Sequence, residues 1–142
     1  LECEDIDFVN EGVKIVIKKS KTDQTGAGMT KAIPYFENNN YCPVISLKEW
    51  INLSKIEDGK IFDISDKSVA LKIKKYALLA GLEYKKYSGH SLRSGFATST
   101  AEIGADERSI MAMTGHKTTQ MVRRYIQEAN LFKNNALNKI KI

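Results

Sequence analysis

The sequence predicts an α+β fold, in which a small three-stranded antiparallel sheet is followed by a mostly helical bundle. Two observations carry this prediction. β-Branched residues alternate with polar ones within about residues 1–36, and apolar residues at helical spacing follow between about 43 and 130. With 142 residues and 42% hydrophobic content, the chain is long and apolar enough for one domain with a real core.

The expected sheet begins with a hairpin. The segments "IDFV" (6–9) and "VKIVIK" (13–18) flank Asn10-Glu11-Gly12, which is a typical turn sequence. A third strand is expected at "TKAIPY" (30–35), where Pro34 marks the end. The glycine-rich polar stretch between the second and third strands favours a long loop.

Five helices are expected after the sheet, because capping residues and terminal glycines recur at suitable spacing. The first covers 44–53, after Pro43, and the second begins at Ser65 or Asp66 and ends at Gly81. The third begins at Ser88 or Ser91 and ends at Gly104, and the fourth runs from Asp106 to Gly115. The fifth begins at Thr118 or Thr119.

Three of these helices carry an apolar stripe that should face the core. The stripes are Val69, Ile73, Tyr76, Ala77 and Ala80 in the second helix, Leu92, Phe96 and Ile103 in the third, and Val122, Ile126 and Ala129 in the fifth. The tail at 131–142 is polar and gives no clear prediction.

Charge and cysteine content narrow the function classes. The chain carries 22 Lys+Arg against 17 Asp+Glu, and this excess of +5 permits an anionic partner such as nucleic acid without proving one. Cys3 and Cys42 are isolated, which is typical of reduced cytosolic thiols. The sequence contains no apolar run of membrane-spanning length and no signal peptide, so a cytoplasmic protein without a membrane partner is expected.

One candidate site lies in "SGHSLRSG" (88–95). His90 and Arg93 are three residues apart, so the start of a helix places both on one face. A helix N-terminus favours anions, and an arginine that forks two hydrogen bonds onto a phosphate adds to this preference. The alternative is a surface histidine beside a solvated arginine, and the octapeptide alone favours that interpretation.

A second candidate lies in "MTGHKTTQMVRRYI" (113–126). Gly115 ends one helix, so His116 lies on a connection, and Tyr125 follows nine residues later in the next helix. A tyrosine at such a place is more often a core residue than a nucleophile. Its ordinary pKa of about 10 means that attack requires help from neighbouring cations.

The combined order and spacing of these residues resembles the C-terminal signature of the tyrosine recombinases, the phage integrases and Xer-type resolving enzymes. Arg93 precedes Tyr125 by 32 residues and His116 precedes it by nine. The loop "KKSKTDQTGAG" (18–28) is similar to the hairpin loop that presents the family's catalytic lysine, and Lys21 is the matching position, with Lys19 second. The opening "LECEDIDFVNEG" resembles the segment after the family's first catalytic arginine.

The resemblance implies that residues 1–142 are a single catalytic-domain fragment of a site-specific recombinase or integrase. Tyr125 would attack a phosphodiester of double-stranded DNA at an attachment or recombination site and form a 3′-phosphotyrosyl bond. Arg93, together with an arginine expected before Leu1, would bind the phosphate oxygens. Lys21 would act as general acid.

The two histidines complete the implied catalytic set. His90 would assist proton movement and His116 would donate to the phosphate. No metal and no cofactor are expected, because no carboxylate or cysteine cluster accompanies either residue.

Lys19, Lys117 and Arg123 are candidates for contacts to the DNA backbone. For each of them, a solvated charged face is about as probable.

Two other functions stay open. One is a type IB topoisomerase-like enzyme, which shares the tyrosine and the cations. The other is a non-catalytic DNA-binding remnant, since the first arginine would lie outside this chain and leave it weakly active or inactive. The resemblance also implies a tetramer of the full-length protein on DNA and a monomer for the isolated fragment, with 131–142 either exchanged between subunits or frayed.

Overall fold

In the computed structural model of the chain, the described part of the first of two units, Leu1–Asp63, contains three antiparallel strands and one α-helix. The second unit, Ile64–Ile142, is helical. The structure describes residues 1–18, 28–116, 118–131, 133 and 136–140. Lys19, Lys21 and Lys117 lie outside the described residues.

The sheet has the strand order β1-β2-β3, with β1 at Ile6–Val9, β2 at Gly12–Ile17 and β3 at Met29–Pro34. All three strands lie within one residue of the predicted positions. Gly12 begins β2 with a φ of +155°, and a Cβ there would lie 2.1 Å from the carbonyl oxygen of Ile33. The close approach of β3 therefore requires a glycine at this position.

One helix covers the core of the first unit. Helix α1, Pro43–Ser54, begins with a proline at a position where no backbone N–H is needed. Val44 of this helix is buried together with Cys42 and with Val13 of β2. The alternating pattern in β2 thus buries one face of the sheet, as the sequence predicts.

An acidic cluster holds the end of β2. Lys18 forms ion pairs with Glu4 and with Asp5, the latter at 3.0 Å. The backbone N–H of Glu2 and the ammonium of Lys18 together lower the pKa of the Asp5 carboxyl. These contacts fix the chain at the end of β2.

The described residues of the second unit form four α-helices. They are α2 at Asp66–Leu79, α3 at Gly89–Glu102, α4 at Glu107–Thr114 and α5 at Thr119–Asn130. The predicted caps are present at Ser65, whose hydroxyl accepts from the N–H of Ser68, and at Asp106, whose carboxylate accepts from the N–H of Ser109 at 3.0 Å. All five predicted helices of the chain are thus confirmed.

The core of the second unit differs from the prediction in α3. The buried residues are Ala97, Ala101, Ile110 and Val122, with Ile126 and Ala129 of α5 packed against them. The predicted stripe of α3 was wrong, because Leu92 is 61% exposed, Phe96 is 41% exposed and Ile103 is 84% exposed. In α2, Ala77 is buried as predicted, but Tyr76 is 68% exposed. Small side chains at 97 and 101 let α3 lie close to α5, and the large residues therefore fall outside the contact.

No helix within the described part of the chain is both long and apolar enough to cross a bilayer.

Candidate active site

His90 and Arg93 lie in the first two turns of α3, and both side chains are exposed. The start of this helix is fixed by a reciprocal pair of hydrogen bonds between Ser88 and Ser91, in which the backbone N–H of Ser88 donates to the Ser91 hydroxyl at 3.0 Å. The serine cap expected from the sequence therefore orients the turn that carries His90.

Gly115 and His116 form the connection after α4. Gly115 has a φ of +69°, in the left-handed region, and its N–H donates to the carbonyl oxygen of Met111 at 2.7 Å. Such a glycine ends a helix without the steric cost that a Cβ would add. It also turns the chain sharply, so that the half-buried ring of His116 lies back against the end of α4.

Thr114, the last residue of α4, joins two of the predicted site residues. Its carbonyl oxygen accepts a hydrogen bond from the guanidinium of Arg93. Its hydroxyl lies 2.7 Å from the carbonyl oxygen of Ile110 and 2.6 Å from Nδ1 of His116. Arg93 and His116, 23 residues apart in sequence, therefore meet at one residue.

Tyr125 lies on α5, beside His116. The two ring centroids are 6.3 Å apart with an interplanar angle of 49°. The tyrosine is half-buried, and it packs against the core around Ala97 and Val122 from the outside. It therefore occupies the rim of the core, next to the His116 ring, and not its interior.

The electrostatics of the cluster favour a neutral His116. Burial lowers the pKa of its ring, and the positive charges of Arg93 and His90 lower it further. No described carboxylate pairs with Arg93, so the positive charge of its guanidinium is not neutralised by a described residue. A concentration of positive charge beside a hydroxyl favours the approach of an anion.

Arg123, a predicted DNA contact, has a protein partner. Its Nε donates to the Glu107 carboxylate at 3.1 Å, and the arginine side chain remains 64% exposed. The other carboxylate oxygen of Glu107 is buried without a hydrogen-bond partner. The pair links the start of α4 to α5, which is compatible with a structural role for Arg123.

The structure thus brings together three of the predicted residues, Arg93, His116 and Tyr125. His90 lies near enough for its charge to lower the pKa of His116. It gives no geometry for Lys19, Lys21 and Lys117. Sequence reasoning missed Thr114 and Glu107. A threonine in the last turn of a helix often bonds to the carbonyl four residues earlier, and that was the available signal for Thr114.

Among the described residues, no group of three or more His, Cys, Asp or Glu side chains is placed to hold a metal ion.

Comparison with known proteins identifies the family of the chain. The model of the phage integrase family matches residues 1–131. The chain belongs to the phage integrase family.

Individual relatives share different parts of the chain. An integrase/recombinase XerD homolog of Selenomonas ruminantium is 45% identical over 99% of this chain and 45% of its own length. A tyrosine recombinase of Pseudothermotoga lettingae is 27% identical over 99% of this chain and 46% of its own length. The tyrosine recombinase XerC of Syntrophus aciditrophicus is 40% identical over 44% of this chain and 20% of its own length.

The chain thus spans less than half the length of these relatives. No solved structure matches it.

Proposed function

We propose that the chain is the catalytic domain of a site-specific DNA recombinase that cuts and rejoins strands through a 3′-phosphotyrosyl intermediate. The observation that carries the proposal is the meeting of Arg93 and His116 at Thr114, with the ring of Tyr125 centred 6.3 Å from that of His116. Membership of the phage integrase family and the names of the similar proteins support the same activity.

In the proposed reaction, Oη of Tyr125 attacks the phosphorus atom as the bond from phosphorus to O5′ breaks. The tyrosine proton passes to a neighbouring imidazole, for which His90 and His116 are the candidates. Lys21 gives a proton to the departing O5′. The guanidinium of Arg93 stabilises the charge that accumulates on the non-bridging oxygens in the transition state.

The resulting ester stores the energy of the broken bond. A 5′-hydroxyl from another strand therefore reverses the step without ATP. Fixed cations supply the stabilisation of charge, and the proposal needs neither a metal nor another cofactor.

Double-stranded DNA is the proposed partner, and the net charge of +5 favours it. Exchange between two duplexes cuts four strands, and each cut needs its own tyrosine. We therefore propose that the full-length protein acts as a tetramer on DNA. Lys19, Lys117 and Arg123 are proposed contacts to backbone phosphates. An enzyme of this kind works where the DNA is, which in a bacterial cell is the cytoplasm.

Covalent capture tests the proposal and finds the DNA site in the same experiment. The full-length protein is incubated with fragmented genomic DNA and denatured, and the DNA that remains attached to protein is sequenced. We expect attached fragments to share one site and to be linked through a 3′-phosphate to Tyr125. Tyr125→Phe removes only the attacking hydroxyl and should abolish the attachment.

The matched control is Tyr76→Phe, because Tyr76 is 68% exposed on α2 and loses the same atom. Attachment that survives in Tyr125→Phe would contradict the assignment of the nucleophile. Relaxation of supercoils without joining of two sites would favour a topoisomerase. Binding of DNA without cleavage would favour a non-catalytic DNA-binding protein.

A further inference from the structure

Thr114 makes one contact that the proposed reaction does not itself require. Its hydroxyl oxygen lies 2.6 Å from Nδ1 of His116, which is a full hydrogen-bond contact. The same oxygen lies 2.7 Å from the carbonyl oxygen of Ile110, one helical turn earlier. The Thr114 hydroxyl has a single proton, and the position of that proton determines which atom donates and which accepts in each contact.

A carbonyl oxygen only accepts hydrogen bonds, so the contact with Ile110 uses the proton of the Thr114 hydroxyl. The hydroxyl then has only lone pairs left for His116. A hydrogen bond at 2.6 Å therefore requires the proton on the ring, at Nδ1. In the neutral ring, Nε2 consequently carries a lone pair and accepts.

We infer that Thr114 is a positioning residue, whose hydroxyl orients the His116 ring and holds it in the tautomer protonated at Nδ1, with Nε2 as the ring's proton acceptor. The inference rests on the proposed function for its role in a reaction. The tautomer itself is a property of the folded chain and does not depend on that function.

The surroundings of Thr114 support this role. Its carbonyl oxygen accepts from Arg93, so the backbone on one side of the hydroxyl is held by α3. Gly115 then reverses the chain, with its own N–H bonded to the carbonyl oxygen of Met111. The backbone that leads to His116 is thus held in place, and the Thr114 hydroxyl fixes the ring itself through the hydrogen bond at Nδ1.

The inferred tautomer alters the role that the sequence suggests for His116. A neutral ring protonated at Nδ1 has no proton to give a phosphate from Nε2. It first accepts a proton at Nε2, and only the charged ring then donates there. His116 thus begins the proposed reaction as an acceptor.

Nitrogen NMR of the 142-residue chain measures the tautomer directly. The chain contains two histidines, so His90→Gln leaves the resonances of one ring and assigns them. In the neutral range of pH, we expect Nδ1 of His116 to have the shift of a protonated nitrogen and Nε2 that of an unprotonated one. Thr114→Ser should preserve this pattern, and Thr114→Val should move the proton toward Nε2.

Thr100→Val is the matched control. The Thr100 hydroxyl donates to the carbonyl oxygens of Phe96 and Ala97 within α3, at 2.7 and 3.2 Å, as Thr114 does within α4. Among the described residues, it forms no hydrogen bond with His90, Arg93, His116 or Tyr125. Thr100→Val therefore removes a comparable helical hydroxyl that does not bond to His116. This variant should leave the His116 tautomer unchanged.

The rate of covalent attachment to DNA provides a second readout. We expect Thr114→Val to slow attachment by about tenfold or more, because a wrong tautomer removes proton-transfer catalysis. Thr114→Ser should restore the rate to that of the wild type. If no variant attaches DNA, the proposed function fails while the NMR result still decides the tautomer.

The inference is overturned if wild-type His116 is protonated at Nε2, or if Thr114→Val has the tautomer of the wild type. It is also overturned if Thr100→Val changes the tautomer as much as Thr114→Val does.

Discussion

Arg93 donates a hydrogen bond to the backbone carbonyl oxygen of Thr114, and this contact joins α3 to the C-terminal end of α4. The last carbonyls of a helix have no partner within it and carry partial negative charge. The guanidinium supplies both a donor and a positive charge at that end. Its remaining N–H groups stay available for an anion, so one side chain serves the fold and the proposed site.

Replacement of Arg93 should therefore affect catalysis far more than stability. Arg93→Lys keeps the charge but loses the planar fork, and we expect the rate of covalent attachment to fall about 100-fold or more. The free energy of unfolding, measured with urea, should fall by only about 0.5–1 kcal/mol, since the contact is exposed. Arg124→Lys is the control, because Arg124 is an exposed arginine directly before Tyr125. Equal losses of rate in both variants would contradict a specific role for Arg93.

Gly115 is required by backbone geometry, and a pair of glycine substitutions separates this effect from helix propensity. Gly115→Ala places a Cβ at a φ of +69° and should cost about 1–2 kcal/mol in the free energy of unfolding. Gly95→Ala lies within α3, where an added Cβ meets nothing within 4 Å. That variant should be more stable than the wild type by about 0.5–1 kcal/mol. Destabilisation of similar size in both would argue against the left-handed turn.

The lowered pKa of His116 predicts how stability depends on pH. Burial and the charges of Arg93 and His90 oppose protonation in the folded chain, so the unfolded chain binds this proton more readily. The neutral His116 ring therefore contributes to the free energy of unfolding above the ordinary histidine pKa of about 6.5. This contribution is lost as the pH falls through the lowered pKa of the folded state. Urea denaturation between about pH 7 and 5 should therefore show less loss of stability in His116→Asn than in the wild type.

Two further measurements make the pH prediction specific. Arg93→Ala removes one of the two neighbouring charges, so NMR titration should find a higher pKa for His116 in that variant. The Asp5 and Asp106 carboxyls also have lowered pKa values, but their contributions are lost only near and below about pH 4. An unchanged His116 pKa in Arg93→Ala would contradict the proximity of the two side chains.

The sequence predicted the sheet, the helices and their caps because these depend on local chemistry. Turn residues, alternation and terminal glycines act within a few positions of the chain. The candidate site residues were predicted from their order and spacing, which resemble one family. The hydroxyl of Thr114 was missed, since its bond to His116 depends on how Gly115 turns the chain.

The buried face of α3 could not be predicted by periodicity. Leu92, Phe96 and Ile103 share a helical stripe, but Ala97 and Ala101 form another on the other side of the helix, about 140° away at 3.6 residues per turn. Hydrophobicity favours the stripe with larger residues. Close packing with α5 favours the smaller residues, and this contact between distant segments is not visible in a local pattern.

The pairing of Arg123 with Glu107 gives a prediction about its proposed contact with DNA. If Arg123 leaves Glu107 for a phosphate, Arg123→Gln should weaken binding to all DNA sequences and lower the salt dependence of binding by about one counterion. A fluorescence titration at several salt concentrations measures this slope. Arg108→Gln, an exposed arginine on α4, is the control of equal charge. An unchanged slope with lower stability would assign Arg123 to the fold alone.

Ala97 should tolerate a larger side chain poorly, because its side chain is fully buried on α3, in one cluster with the core residues Ile110 and Val122. Ala97→Leu adds three carbon atoms at a buried position, and we expect overpacking to lower the free energy of unfolding by about 1–3 kcal/mol. Leu92→Ala removes the same atoms from a side chain that is 61% exposed on the same helix, and it should change stability by no more than about 0.5 kcal/mol. Urea denaturation of both variants measures the two effects. A larger loss in Leu92→Ala than in Ala97→Leu would mean that α3 buries the face with the large residues after all.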